Sequence, residues 1–347
     1  MAPHAPLIVL EGANRILSFG GTPHREPILF AAIIARLWED PLVRLILPLA
    51  LVATTFAQIP NTAAAKQQLL WQKLETSAVE ADRNLDGVMG VAIEDLTTGQ
   101  KYGLRGDDVF PQASSIKIAV LAELYHQAQQ GKLKLTDMYM VRPSDLVADS
   151  YIMNGLTPGI TQITLRDLAT MMVAVSDNSA ANVLIDRVGM ENVNALLDSL
   201  GLLHTRLRRK MMDLKAAGEG RENVSTPNEM MALLEDIYRG KVLNRELTED
   251  FFKILSTPKD SWIPRDLPEG LKIANKPGSL EGVRNDSGIV FIEHRAYIIC
   301  VMTTYLHRER DGEEAISKIS LAAYRMFDRL ARASEYGRVI SPGNSSK

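Results

Sequence analysis

The chain has 347 residues, 46% of them hydrophobic and 23% charged, with a formal net charge of −3. That is ample material for a globular core, and no basic excess or aromatic–basic interleaving points to nucleic acid. A single cysteine, Cys300, excludes an internal disulfide, and the six histidines show no H-x-x-x-H pairing, so neither a metal nor another cofactor is expected.

In chain order, the first feature is the apolar run LILPLALVATTFA at 45–57, preceded by Arg44 and ending in Thr55-Phe56-Ala57. Its length and small-residue end fit a secretory signal and are short for a membrane span. The 44 residues before it, with Glu39 and Asp40, make a long n-region, which implies a start placed too far upstream; a start at Val43 would give a compact signal. The alternative is an uncleaved anchor. No cysteine follows the run, so it is not a lipoprotein signal. We therefore expect an exported chain, periplasmic or secreted, of residues 58–347.

A helix is predicted over 61–82, then strands over 88–96 and 101–104 joined by Thr97-Thr98-Gly99. From 114 to 238 the pattern is helical. Thr164-Leu165-Arg166-Asp167 and Thr226-Pro227-Asn228-Glu229 read as helix starts, and Gly189 and Gly201 as ends. Strands return at 271–275, 287–293 and 296–305, then a helix at 313–333 and a polar tail expected to be disordered. Strands at both chain ends most simply join one sheet. The predicted fold is therefore α/β (α+β) and two-domain. An antiparallel five-stranded sheet (58–110 and 255–335) with flanking helices carries an inserted all-α part (111–254), and a tail follows at 336–347.

The first candidate site residues lie in FPQASSIKIAVLAELYHQAQQ, 110–130. Apolar residues at Ile116, Ala119, Val120, Leu124 and Tyr125 recur at helical spacing, so a helix begins near Ser114 and ends at Gly131. Three residues apart places Ser114 and Lys117 on one face, within reach of each other. A serine in the first helical turn also has unpaired backbone N–H groups around it. A weak hydroxyl nucleophile needs both an acceptor for its proton and donors for an oxyanion. A second S-x-x-K, Ser256-Thr257-Pro258-Lys259, contains a proline that disfavours a helical pair and reads as a decoy. Alone, one such motif is weak.

Two further segments follow in order: Ser176-Asp177-Asn178, between two predicted helices, and Lys276-Pro277-Gly278-Ser279, at a strand end. With Ser114-Ser115-Ile116-Lys117 they resemble the S-x-x-K, S-D-N and K-T-G set of class A β-lactamases and related penicillin-recognising serine enzymes. The resemblance spans about 58–335, and the architecture predicted above is also that family's. It implies Ser114 as nucleophile, Lys117 as its proton acceptor, and Ser176 as the proton donor to the leaving nitrogen. It implies an oxyanion hole from the N–H groups of Ser114 and Ser279. Asn178, Lys276, Gly278 and Ser279 would bind substrate, and Asp177 would hold its loop. Each segment also has an ordinary reading as a helix cap or a turn.

The chain departs from the family in four places. Pro277 replaces a threonine or serine. Matching Thr205-Arg206-Leu207 puts Met211 where the family carries the glutamate that activates the deacylating water, and Lys215 where its partner asparagine stands. The ion pair closing that loop would fall on Arg209 and Asn223, and so is expected to be missing. Asp213 is the nearest substitute base, with Glu219 and Glu222 further off. The family's carboxylate-binding arginine is unmatched, with Arg284 nearby. The expected activity is that of a serine β-lactamase-like hydrolase that opens β-lactam rings through an acyl-enzyme on Ser114 and deacylates slowly. The alternatives are a D-alanyl-D-alanine peptidase and a β-lactam-binding sensor or decoy that does not turn over. The expected partner is a small β-lactam or D-Ala-D-Ala peptide, and the expected state a monomer.

Overall fold

The computed structural model describes residues 62–334 and 336–339; the apolar run at 45–57 lies outside them. Helix α1, Thr62–Arg83, precedes the hairpin β1, Val88–Asp95, and β2, Lys101–Leu104. The returning strands are β7, Lys272–Leu280, β8, Val283–Phe291, and β9, Tyr297–Thr304, and the sheet order is β2-β1-β9-β8-β7, antiparallel throughout. Strands from both chain ends thus meet at the β1–β9 seam, where Ala92 faces Cys300.

Central β9 has apolar residues on both faces, because both faces are covered. Tyr297, Ile299 and Val301 pack with Trp71 of α1 and Phe327 of the last helix, α9, Glu309–Arg332. Tyr297 stacks on Phe327 with ring centroids 4.2 Å apart. Ile298, Cys300 and Met302 face the other way, into a core continuous with the inserted helices. The sheet part and the helical part are thus divisions of architecture over one shared core. Fully burying each such side chain is worth about 1.5–3 kcal/mol.

The inserted part contains α2, Lys117–Gln129; α3, Leu165–Ala174; α4, Asn178–Val188; α5, Met190–Ser199; the short α6, Leu214–Gly218; and α7, Pro227–Tyr238. It is less purely helical than its sequence pattern. Phe110–Pro111 (β3) pairs with Val224–Ser225 (β6), and Met138–Met140 (β4) with Gln162–Thr164 (β5). Such short pairings give too few residues to show a period of two. Helix α8, Arg245–Leu255, was not predicted; Asn244 caps it by accepting from Leu247 N.

Other boundaries also shift. The helix expected from Ser114 begins as a 3-10 turn, Ala113–Ile116, because Ala113 enters at φ +49°; Gly131 ends it at φ +71°. Strand β7 continues through Lys276-Pro277-Gly278-Ser279 and β8 starts at Val283, so the third motif lies within a strand. Pro277 is tolerated because β7 is the sheet edge, where a missing N–H costs no ladder bond. The described part of the tail is held down: Lys66 Nζ donates to the Tyr336 carbonyl and Ala333 bridges to Val339. These contacts correct the expectation of a disordered tail for residues 336–339. Among the described residues no helix is long and apolar enough to cross a membrane.

Candidate active site

The three motifs converge where β7 runs beside the 3-10 turn. Gly278 makes that approach feasible. A Cβ there would lie 2.6 Å from the Gln112 carbonyl and 2.8 Å from Ser115 N and Oγ. The resemblance put Gly278 among the substrate-binding residues; the structure shows that it admits the turn carrying Ser114. Ser115 Oγ donates to the Lys276 carbonyl at 3.2 Å, and Asn285 Nδ2 to the Pro111 carbonyl at 2.7 Å, fastening turn to sheet.

Lys117 is fully buried and its ammonium is surrounded by acceptors: Ser176 O at 2.6 Å, Asn178 Oδ1 at 2.8 Å and Ser176 Oγ at 3.1 Å. Two of these, a carbonyl and an amide oxygen, can only accept. A neutral lysine has two hydrogens for them, which leaves its lone pair for a hydroxyl proton. The predicted Ser114–Lys117 contact is not made side chain to side chain; among the described residues the Ser114 hydroxyl has no hydrogen-bond partner. It is half-buried at the mouth of the cluster, and the Lys117 backbone N–H donates to the Ser114 carbonyl.

Ser176 Oγ lies between the two lysines, 3.1 Å from Lys117 Nζ and 2.9 Å from Lys276 Nζ. Both oxygens of Ser176 turn toward Lys117, and the residue holds φ +58°. A serine in that region costs on the order of 1–3 kcal/mol and persists only where surrounding bonds over-determine it. Asp177 supplies them. It caps α4 through Oδ1 to Ala180 N, and its Oδ2 accepts from Ile152 N and Met153 N at 3.0 and 2.9 Å.

Burial and the neighbouring Lys276 push the Lys117 ammonium well below its ordinary range, against the raising effect of Asp177. Burial likewise lowers Lys276 to about 7, with Lys259 adding to the effect and Asp286 opposing it. Lys276 Nζ also donates to the Pro277 carbonyl. Asn178 was expected to offer its amide to substrate. Its Oδ1 is engaged by Lys117, and Nδ2 makes one long contact, 3.4 Å, to the Ala148 carbonyl. Ser279 is exposed on β7, one residue beyond Gly278.

The loop before α7 carries the departures. Met211 is buried and its backbone is clasped at both polar atoms by Asn182: Met211 N donates to Oδ1 at 2.8 Å, and Nδ2 donates to Met211 O at 3.0 Å. Asn182 sits one turn after Asn178 on α4, so Met211 is held about one helical turn from Lys117's partner. Asp213 is exposed and caps α6 by accepting from Ala216 N. Glu219 pairs with Arg221. The loop-closing ion pair expected to be absent is present on a neighbouring residue, Arg209 to Glu222 at 2.8 Å. Asn223 instead holds the Arg208 and Arg209 N–H groups and donates to the Arg209 carbonyl. Arg284 is committed elsewhere, to Glu313 and to the Leu280 and Val283 carbonyls.

Sequence reasoning missed Asn182, Asn275 and Asp286. Only Asn182 carried a signal, standing four residues after Asn178 on the same helix face. Among the described residues no group of His, Cys, Asp or Glu could hold a metal ion.

A sheet from both chain ends, an inserted helical part and a Ser/Lys/Ser/Lys cluster at their junction define a serine hydrolase of the penicillin-recognising class. Comparison with known proteins agrees. The model of the beta-lactamase enzyme family matches residues 70–327, and the chain belongs to that family. Beta-lactamase SME-1 of Serratia marcescens is 29% identical, over 81% of this chain and 94% of its own. A beta-lactamase structure from Sphaerobacter thermophilus DSM 20745 is 30% identical with TM-score 0.68, covering 74% of this chain and 97% of that one. The structure of PBP-A is 25% identical with TM-score 0.67, covering 74% and 96%. The protein is a class A β-lactamase-like serine hydrolase acting on β-lactam amide bonds.

Proposed function

We propose that Ser114 is the acylated nucleophile and that the acyl-enzyme is long-lived because Met211 stands where a deacylating base would. The observation that supports this is the Asn182 clasp, which fixes the backbone of Met211, a residue without a carboxylate, from a point one helical turn along α4 from Asn178. In acylation Ser114 Oγ bonds to the β-lactam carbonyl carbon and its proton passes to neutral Lys117. The tetrahedral oxyanion sits against the N–H groups of Ser114 and Ser279. As the carbon–nitrogen bond breaks, Ser176 gives its proton to the ring nitrogen and is reprotonated from Lys117. Each oxyanion donor is worth about 3–4 kcal/mol in the transition state.

Deacylation needs a base for water. Asp213 is spent on a cap, Glu219 on Arg221 and Glu222 on Arg209. Without a positioned base this half-reaction loses about 10²–10⁴-fold. The D-alanyl-D-alanine peptidase reading uses the same residues and draws support from the similarity to PBP-A, a mutant of which is described as an acyl-enzyme complex with penicillin G. The chain is exported, as a monomer, by way of its 45–57 segment in this reading. A chromogenic cephalosporin time course followed by intact mass tests it. A burst of one equivalent with a lasting adduct on Ser114 is expected, and rapid steady turnover would refute slow deacylation.

A further inference from the structure

Charge is sorted unevenly along the two terminal helices, α1 and α9. They run antiparallel: Ala63 and Ala333 line one groove between them, Ser77 and Ala322 the next, and Ala81 and Ala315 a third. Trp71 and Phe327 lock the pair edge to face, with ring centroids 5.7 Å apart. The acids near the start of α9 are paired: Asp311 with Arg308, Glu313 with Arg265 and Arg284, and Glu314 with Arg310. The other end of the helix pair is cationic. Lys66 and Lys73 come before every acid of α1, and Arg325 and Arg329 line the same two grooves from α9.

Local helix rules do not account for this end. A helix N-terminus favours acids, yet the first turn of α1 has none and Lys66 follows it. Arg325 and Arg329 stand four residues apart on α9, a like-charge spacing that destabilises a helix. A helix C-terminus favours Arg329 but gives no reason for the lysines at the start of α1. Among the described residues Lys73, Arg325 and Arg329 make no ion pair, and Lys66 Nζ donates to the Tyr336 carbonyl at 3.1 Å. Asp328, beside Arg329, is taken by Arg332, and Glu335 lies outside the described residues. Exposed apolar side chains stand among these charges. Leu69, 56% exposed, lies between Lys66 and Lys73 on one face of α1, and Tyr336 and Val339 are exposed where the tail lines the groove. Unpaired cations interleaved with exposed apolar and tyrosine side chains match the headgroup layer of an anionic bilayer. Chain order puts this end next to a membrane-seeking segment, since the apolar run at 45–57 ends five residues before Thr62. Helices α1 and α9 cover the sheet face that the inserted helices do not, so docking here leaves the Ser114 side of the sheet free.

We propose that this end of the α1–α9 pair is a docking surface for an anionic phospholipid bilayer. The proposal is independent of the acylation reading. The test measures co-sedimentation of the full chain with vesicles of phosphatidylcholine alone, or of phosphatidylcholine with an equal part of phosphatidylglycerol. Binding to the mixed vesicles should exceed binding to phosphatidylcholine, and the excess should shrink as salt is added. Lys66→Gln combined with Lys73→Gln should cut binding to the mixed vesicles about tenfold and leave binding to phosphatidylcholine unchanged. Lys66→Arg combined with Lys73→Arg should retain it. Lys132→Gln combined with Lys134→Gln removes the same charge just beyond α2 and should change nothing. An equal loss in that control, no loss in the first pair, or no preference for the mixed vesicles would overturn the proposal. Binding of soluble polyphosphate without binding of vesicles would overturn it in favour of a polyanion partner. If the Lys66 and Lys73 variant does not fold, Arg325→Gln combined with Arg329→Gln decides in the same way.

Discussion

Replacing Met211 with glutamate is the most direct test of why the acyl-enzyme should persist. The backbone position is already fixed by Asn182 at 2.8 and 3.0 Å, so the substitution changes the side chain without needing a new loop path. Met and Glu are of similar length, and Met211 is only 7% exposed, so a carboxylate there would be largely desolvated. Desolvation raises a carboxyl pKa toward the range useful for a general base. Burying it with few partners should cost about 1–3 kcal/mol of stability. The expected gain in deacylation is about 10²–10⁴-fold, or about 3–5 kcal/mol of barrier. The assay is the decay of the acyl adduct by intact mass after removal of excess β-lactam, alongside the thermal midpoint. A folded Met211→Glu variant whose adduct decays no faster than the parent would refute the assignment of Met211 to that role.

Ser114→Ala should abolish covalent labelling by benzylpenicillin, and an adduct of unchanged yield would remove Ser114 as nucleophile. Asp213→Asn should leave turnover unchanged and keep the α6 cap, whereas Asp213→Ala should lose about 1 kcal/mol in a melting experiment. Gly278→Ala should cost about 1–3 kcal/mol by overpacking against Gln112 and Ser115, with a collapse in acylation; normal acylation would contradict the close approach of β7. For pH, Lys276 must be charged to hold a carboxylate, and its ammonium is lowered to about 7 in the free protein. Acylation by a carboxylate-bearing β-lactam should therefore fall as pH rises through that region, and Lys276→Arg should move the falling limb to higher pH. The linked stability has the opposite sense: between about 7 and the ordinary lysine range the unfolded chain binds more protons, so this group's contribution to stability rises with pH.

The five-stranded sheet was legible because its strands are apolar and its hairpins carry turn residues, as at Thr97-Thr98-Gly99. The motif residues were legible because their chemistry needs fixed types at fixed spacing. What escaped was structure made by long-range contact. Lys276-Pro277-Gly278 reads as a turn because proline and glycine are poor strand formers, yet edge placement and the packing of Gly278 on the serine turn keep β7 extended through it. The ion pair Arg209–Glu222 escaped a register-based match because a one-residue offset moves the charge without moving the contact. Ser256-Thr257-Pro258-Lys259 was rightly set aside as a serine–lysine pair, since Ser256 Oγ donates to the Phe252 carbonyl and Lys259 Nζ to the Leu255 carbonyl.

The lone thiol of this chain offers a built-in clock. Cys300 sits mid-strand between Ala92 and Ser287, fully buried, and burial pushes its thiol up to about 12. No thiolate is available to an alkylating reagent while the central strand is in place. Alkylation of Cys300 therefore counts openings of the whole sheet, without any engineered label. The ratio of labelling rates before and after acylation would report how far a bound acyl group stiffens the fold.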